Sequence, residues 1–113
     1  MKLVEIAITR DELKQMSQRM FGGLIKAVVD IEKEIMVVDA AMHADEEQLL
    51  LNNGSKQDHL WGINFYPELD GDDFLEFDSM INIRPRQNNF SRSVENTEIQ
   101  EQIKKVVNKL VST

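Results

Sequence analysis

Ile25-Lys26-Ala27-Val28-Val29-Asp30-Ile31 and Glu34-Ile35-Met36-Val37-Val38-Asp39-Ala40 flank the pair Glu32-Lys33. Both runs are rich in β-branched residues, which suit a pleated, half-buried surface. Pairing them about Glu32-Lys33 sets Val29 against Met36 and Ala27 against Val38, with Lys26 across from Asp39 on the other face. Apolar partners then share one side and opposite charges the other, the cross-strand chemistry that holds a register. Tight two-residue hairpins favour Asn-Gly or Asp-Gly, so Glu32-Lys33 points to a longer loop.

Upstream of this hairpin, Leu3-Val4-Glu5-Ile6-Ala7-Ile8 reads as a strand. Thr9 and Glu12 have capping-box spacing, and Ile8 and Leu13 can form a hydrophobic staple. Leu13, Met16 and Met20 share a helical face, and Gly22-Gly23 ends the helix. Downstream, His43 to Leu51 reads as a helix with Asp45, Glu46 and Glu47 in its first turn, where the helix dipole favours negative charge. Leu49, Leu50 and Leu51 supply its buried side, and Asn52-Asn53-Gly54 stops it.

Leu60 to Tyr66 is the next strand, with Trp61, Ile63 and Phe65 on one face. After a loop from Pro67 to Asp73, Phe74 to Arg84 is the longest strand expected. Leu75, Phe77, Ser79, Ile81 and Ile83 lie on one of its faces. Phe74, Glu76, Asp78, Met80, Asn82 and Arg84 lie on the other, unless a bend near Asp78-Ser79 shifts the alternation. Pro85 ends this strand, and Arg86 to Ser93 is a polar loop. Asn96 caps a last helix in which Ile99, Ile103, Val106, Val107 and Leu110 recur at helical spacing. The order βαββαββα predicts one α+β domain over residues 1–113. Its sheet is five-stranded and mainly antiparallel, with three helices packed on one face.

Composition bounds the function. The chain has 113 residues, 42% hydrophobic and 29% charged, an ordinary globular balance. With no Cys, disulfides, thiolate metal sites and thiol nucleophiles are excluded. No apolar run approaches the roughly 20 residues of a membrane helix, and no signal-peptide core precedes Glu5, so a cytoplasmic location is expected. The formal charge of −7 argues against extended nucleic-acid binding, which needs clustered Lys and Arg. The charge is uneven. Glu68, Asp70, Asp72, Asp73, Glu76 and Asp78 precede Arg84, Arg86 and Arg92.

His43-Ala44-Asp45-Glu46-Glu47, Leu60-Trp61-Gly62-Ile63-Asn64-Phe65-Tyr66-Pro67 and Phe77-Asp78-Ser79-Met80-Ile81-Asn82-Ile83-Arg84-Pro85 are the most distinctive stretches. With Asn88, Asn89, Ser91 and Arg92 they resemble a family of small prokaryotic single-domain proteins of unknown function. The resemblance spans nearly the whole chain and implies no activity, cofactor or catalytic residue.

Three constellations could carry chemistry. Arg84, Arg86 and Arg92 stand close to Asn82, Asn88, Asn89 and Ser91. Arginine forks suit phosphate or carboxylate, and asparagines can orient the anion. This loop is the leading expectation: an anion-recognising site in a binding or interaction module, for a phosphate-bearing small molecule or a protein partner. Without a Gly-rich phosphate loop, a nucleotide-hydrolase fingerprint is lacking, and no cofactor is expected. The second constellation is His43, Asp45, Glu46 and Glu47 with Asp58-His59, whose helical spacing suits a metal poorly beyond His43 with Glu46 or Glu47. No metal is therefore expected. The third is a polar sheet face of Asn64, Tyr66, Glu76, Asp78, Asn82 and Arg84, where a buried carboxylate could act as a base. An alternative is thus a metal-assisted or acid–base hydrolase using His43, Glu47, Asp78 and Asn82. Another is an acidic module that binds a protein partner through Glu68 to Asp78. Phe90 could be a contact in the polar loop, and an exposed strand edge could support a homodimer.

Overall fold

The computed structural model describes residues 1–20 and 22–113. The central hairpin pairs β3 (Ile25–Asp30) with β4 (Ile35–Val38), antiparallel, and sets Val29 opposite Met36 and Ala27 opposite Val38. The loop is longer than two residues. The Asp30 carbonyl accepts from Glu34 N–H (2.9 Å), the Asp30 carboxylate accepts from Glu32 and Lys33 N–H (2.9 Å each), and Glu34 takes φ 57°. Asp39 N–H donates to the Lys26 carbonyl at 3.3 Å. The Asp39 carboxylate pairs with Arg19 at 3.2 Å instead of with Lys26.

Further strands build outward on both edges. β1 (Lys2–Val4) pairs with β4, β5 (Leu60–Phe65) with β3, and β6 (Leu75–Glu76) with β5. The sheet order is β1-β4-β3-β5-β6, antiparallel throughout. The α+β class, the five-stranded antiparallel sheet and the three helices all stand as read. The run from Leu3 to Ile8 divides. Beyond a bend at Glu5-Ile6, β2 (Ile8–Thr9) pairs in parallel with β7 (Val111–Ser112), which delivers Ile8 into the core.

Local signals set the helix ends. In α1 (Arg10–Ser17), Thr9 Oγ1 accepts from Glu12 N–H at 3.1 Å, and the Glu12 carboxylate accepts from Thr9 N–H at 3.3 Å. In α3 (Thr97–Leu110), Asn96 Oδ1 accepts from Glu98 N–H (2.8 Å) and Ile99 N–H (3.2 Å). Each cap satisfies N–H groups that the helix cannot.

The helices do not share one face, which corrects that detail of the expected architecture. Leu13 of α1 and Ile103, Val106, Val107 and Leu110 of α3 pack with Ala27, Val29, Trp61, Ile63 and Phe65. α2 (His43–Asn52) lies on the opposite side, where Leu50 packs with Val28, Val37 and Leu60. The reason is in the strands. β5 is buried along its whole length and β3 at every position except Lys26, so both faces need a cover. No helix among the described residues is long and apolar enough to cross a membrane.

The expected Phe74–Arg84 strand is also shorter. It ends after Glu76, and 3-10 turns follow at Met80–Asn82 and Pro85–Gln87. The Asn82 side chain replaces the missing ladder. Its Oδ1 accepts from Gly62 N–H at 2.8 Å, and its Nδ2 donates to the Gly62 carbonyl at 2.9 Å.

Candidate functional site

Register alone assembles the floor of a pocket. Lys26 of β3 is opposite Asn64 of β5, and Asn64 is opposite Glu76 of β6. All three lie in one row on the α2 side of the sheet, because paired residues share a face and the side-chain period is 2. The start of α2 places His43 beside the row. The chain after β6 adds Asp78, and the polar loop adds Arg92. With Tyr66 they line a cavity of about 390 Å³, whose apolar wall includes Leu24, Met42, Met80 and Ile81. This size lies at the lower end of the roughly 300–1,000 Å³ of ligand pockets.

Asn64 is the centre of the polar network and is only 5% exposed. Its Nδ2 donates to Glu76 Oε1 (2.9 Å) and to the Asp78 carbonyl (3.1 Å). Both partners are acceptors, so the amide orientation is set by chemistry. Tyr66 O–H also donates to Glu76 Oε1, at 3.1 Å. Burial and the adjacent Glu76 raise the Tyr66 pKa, so the phenol keeps its proton. Asn64 Oδ1 is buried and meets no donor in good hydrogen-bond geometry among the described residues, while lying near the His43 ring. Such a group costs about 1–3 kcal/mol unless something fills its lone pairs.

His43 Nε2 lies 2.8 Å from the Ile63 carbonyl. Facing an acceptor, Nε2 carries the hydrogen, and Nδ1 is the acceptor of the neutral ring. Burial lowers the pKa of His43, and Lys26 acts in the same direction. The Ile63 carbonyl, Asn64 and Asp78 oppose this and do not cancel it. Arg92 grips Asp78 with Nε to Oδ1 at 2.7 Å and Nη2 to Oδ2 at 3.3 Å. That grip raises the Arg92 pKa.

The Arg/Asn loop is arranged differently from an open anion clamp. Arg84 is 6% exposed, stacks on the Trp61 ring at 4.1 Å, and donates to the Gln57 and Leu60 carbonyls. Asn89 Nδ2 donates to the Asn82, Ser91 and Ser93 carbonyls, and its Oδ1 accepts from Glu95 N–H. Asn82 holds Gly62, and its Nδ2 also reaches the Arg92 carbonyl at 3.0 Å. Asn88 is an exposed residue at φ 57° that closes the turn. Arg86 pairs with Asp58 at 2.6 Å, away from the pocket. Of these six residues, Arg92 alone lines the cavity.

For the hydrolase constellation, His43 and Asp78 share the pocket, while Glu47 and Asn82 do not line it. Among the described residues, no three His, Asp or Glu side chains gather as a metal would need. Lys26, which the sequence places only in the hairpin register, reaches the cavity through the pairing of β3 with β5. Extending the 25–40 register across Asn64 to the next strand could have found it.

The fold and the pocket define a small α+β protein with a cavity, polar on its floor and apolar on its wall, between an antiparallel sheet and the start of a helix. The chain belongs to the family described as "Protein of unknown function (DUF5674)", which matches residues 2–110. No curated protein and no solved structure matches the chain.

Proposed function

We propose that the protein is a binding module for a small polar ligand, held in the cavity of His43, Asn64, Tyr66, Glu76, Asp78 and Arg92. The observation that carries this reading is the cavity itself, about 390 Å³, in which the buried Asn64 amide ties Glu76 and the Asp78 backbone together beside His43. A ligand N–H or O–H complements the carboxylate of Glu76, which lines the cavity and uses only Oε1 toward Asn64 and Tyr66. The anion expected for the loop keeps one of its arginines here, Arg92, and that one already neutralises Asp78.

The test is an NMR amide titration with nucleotides, sugar phosphates, amino acids, short RNA and divalent ions. Saturable shifts at His43, Asn64, Tyr66, Asp78 and Arg92 are expected with at least one class. Shifts confined to Arg84–Asn89 would instead return the site to the loop, and silence at the pocket with every class would overturn the reading. Asn64→Leu should abolish the response while the remaining amide spectrum stays folded.

A second reading, acid–base chemistry on the bound ligand, rests on His43. Its tautomer is held by the Ile63 carbonyl and its pKa is depressed, so it is an unprotonated base at neutral pH. Turnover of ester or phosphate substrates that disappears in His43→Gln would support it. Wild-type protein without turnover would discard it.

A further inference from the structure

We infer that the ligand of this pocket is a small zwitterion, an ammonium and a carboxylate on one apolar skeleton, as in an aliphatic α-amino acid. The inference rests on the pocket reading above and goes further, to the ligand's charges. Its basis is the row Lys26, Asn64, Glu76, which carries a cation at one end and an anion at the other with an amide between them. Neighbouring strands lie about 4.8 Å apart, so the two end residues are anchored roughly 10 Å apart across the middle strand. Among the described residues, neither forms an ion pair, with the other or with any third group. Lys26 and Glu76 both line the cavity.

Each end has unused capacity. Glu76 engages the protein through Oε1 only, accepting from Asn64 and Tyr66. Its Oε2 is left for a donor from the ligand. Asn64 Oδ1 lies on the other end of the amide from the Glu76 contact, buried and close enough to the His43 ring to raise its pKa. An ammonium is the complement of the free Glu76 carboxylate oxygen. The Lys26 ammonium, on a flexible stem, has three donors and no acceptor, and its natural complement is a carboxylate.

The remaining charges at the cavity, Asp78 and Arg92, neutralise each other at 2.7 Å. The site therefore presents one free charge of each sign, and a ligand with only one charge leaves the other partially desolvated and unpaired. The apolar wall gives the skeleton its place. Met42 and Met80 stand 57% and 65% exposed at the cavity, as flexible thioether chains that adapt to an aliphatic group.

Three matched probes test this by amide titration: L-leucine, 3-methylbutan-1-amine, which lacks its carboxylate, and 4-methylpentanoate, which lacks its ammonium. Leucine is expected to shift His43, Asn64 and Glu76 saturably, with each half-molecule at least tenfold weaker. Lys26→Met should weaken leucine and leave the amine unchanged. Glu76→Gln, which retains an acceptor for Asn64 and Tyr66, should weaken leucine and leave the carboxylate unchanged. An amine or a carboxylate that binds as well as leucine overturns the zwitterion assignment. So does silence of all three probes. If nucleotides, sugar phosphates or metal ions then shift the same amides, the pocket reading survives alone. If nothing shifts them, both fall.

Discussion

Gly62 shows how one residue decides where the chain leaves the sheet. A Cβ built there would lie 2.4 Å from Ser79 Cβ and 2.6 Å from Ser79 Oγ, well inside contact distance. The requirement is steric, since Gly62 does not occupy the left-handed region that favours glycine. The missing side chain lets Ser79 settle on β5 and lets Asn82 pair with the Gly62 backbone in place of a strand. Gly62→Ala should therefore cost about 1–3 kcal/mol of stability, the usual range for forced overpacking. Ser79→Gly removes the atoms it strikes, so the double variant should recover most of that loss in a urea-unfolding cycle. Additive losses would mean that the clash is relieved elsewhere. This residue also sets the pocket, because the Asn82 amide holds the Arg92 carbonyl while the Arg92 side chain holds Asp78.

At the scale of elements, α2 is the least orthodox part of the fold. Its buried stripe is His43, Glu46 and Leu50, so two of its three inward residues are titratable. Glu46 is fully buried. Its Oε2 accepts from Ala40 N–H at 3.1 Å, and its Oε1 has no partner. Burial pushes its pKa up from 4.5 to about 9, helped by Asp39 and opposed by the Ala40 N–H and Lys26. In the unfolded chain this carboxyl ionises near 4.5. Between these values the unfolded state releases a proton that the folded state keeps. Stability is thus greatest below the unfolded value and falls as pH rises through the folded one. Glu46→Gln keeps an acceptor for Ala40 and removes the titration. Between about pH 5 and about pH 8 its stability relative to wild type should rise by on the order of 2–4 kcal/mol, measured by urea unfolding. Parallel pH profiles for the two proteins would show that Glu46 is ionised in the fold. The same stripe explains what could be read in advance. The Thr9 and Asn96 caps and the Val29–Met36 register depend on near neighbours or on a period of 2, and both were legible. The side taken by α2 was not, because a stripe containing His and Glu carries no apolar periodicity, and consecutive leucines at 49–51 point around the helix. Asn64, Tyr66, Glu76 and Asp78 were legible as one polar face. The burial within the basic loop was not legible, because charge in a sequence does not report it: Arg84 is a buried residue stacked on Trp61.

The whole molecule is a three-layer arrangement, with the sheet between α1 and α3 on one side and α2 on the other. Among the described residues, the apolar clusters on the two sides of the sheet share no residue. Ile103 belongs to the larger, and Leu50 to the smaller. Both side chains are 0% exposed, so trimming either leaves space that surrounding atoms fill incompletely. Leu50→Ala should cost about 2–5 kcal/mol and Ile103→Val about 0.5–1.5 kcal/mol. Because the sheet separates them, the double variant should lose the sum of the two to within about 0.5 kcal/mol. If α2 instead packed with α3 in one layer, the two cavities would be able to merge or relax together, and a coupling above that limit would appear in the cycle. The pocket supplies a second readout. Leu50 anchors the helix whose first residue is His43, so Leu50→Ala should weaken any ligand that shifts His43 and Asn64. Ile103→Val, beyond the far face of the sheet, should leave that affinity unchanged while still lowering the urea midpoint. Equal effects of both substitutions on affinity would mean that the pocket senses overall stability. An effect of Leu50→Ala alone ties the pocket to the docking of α2.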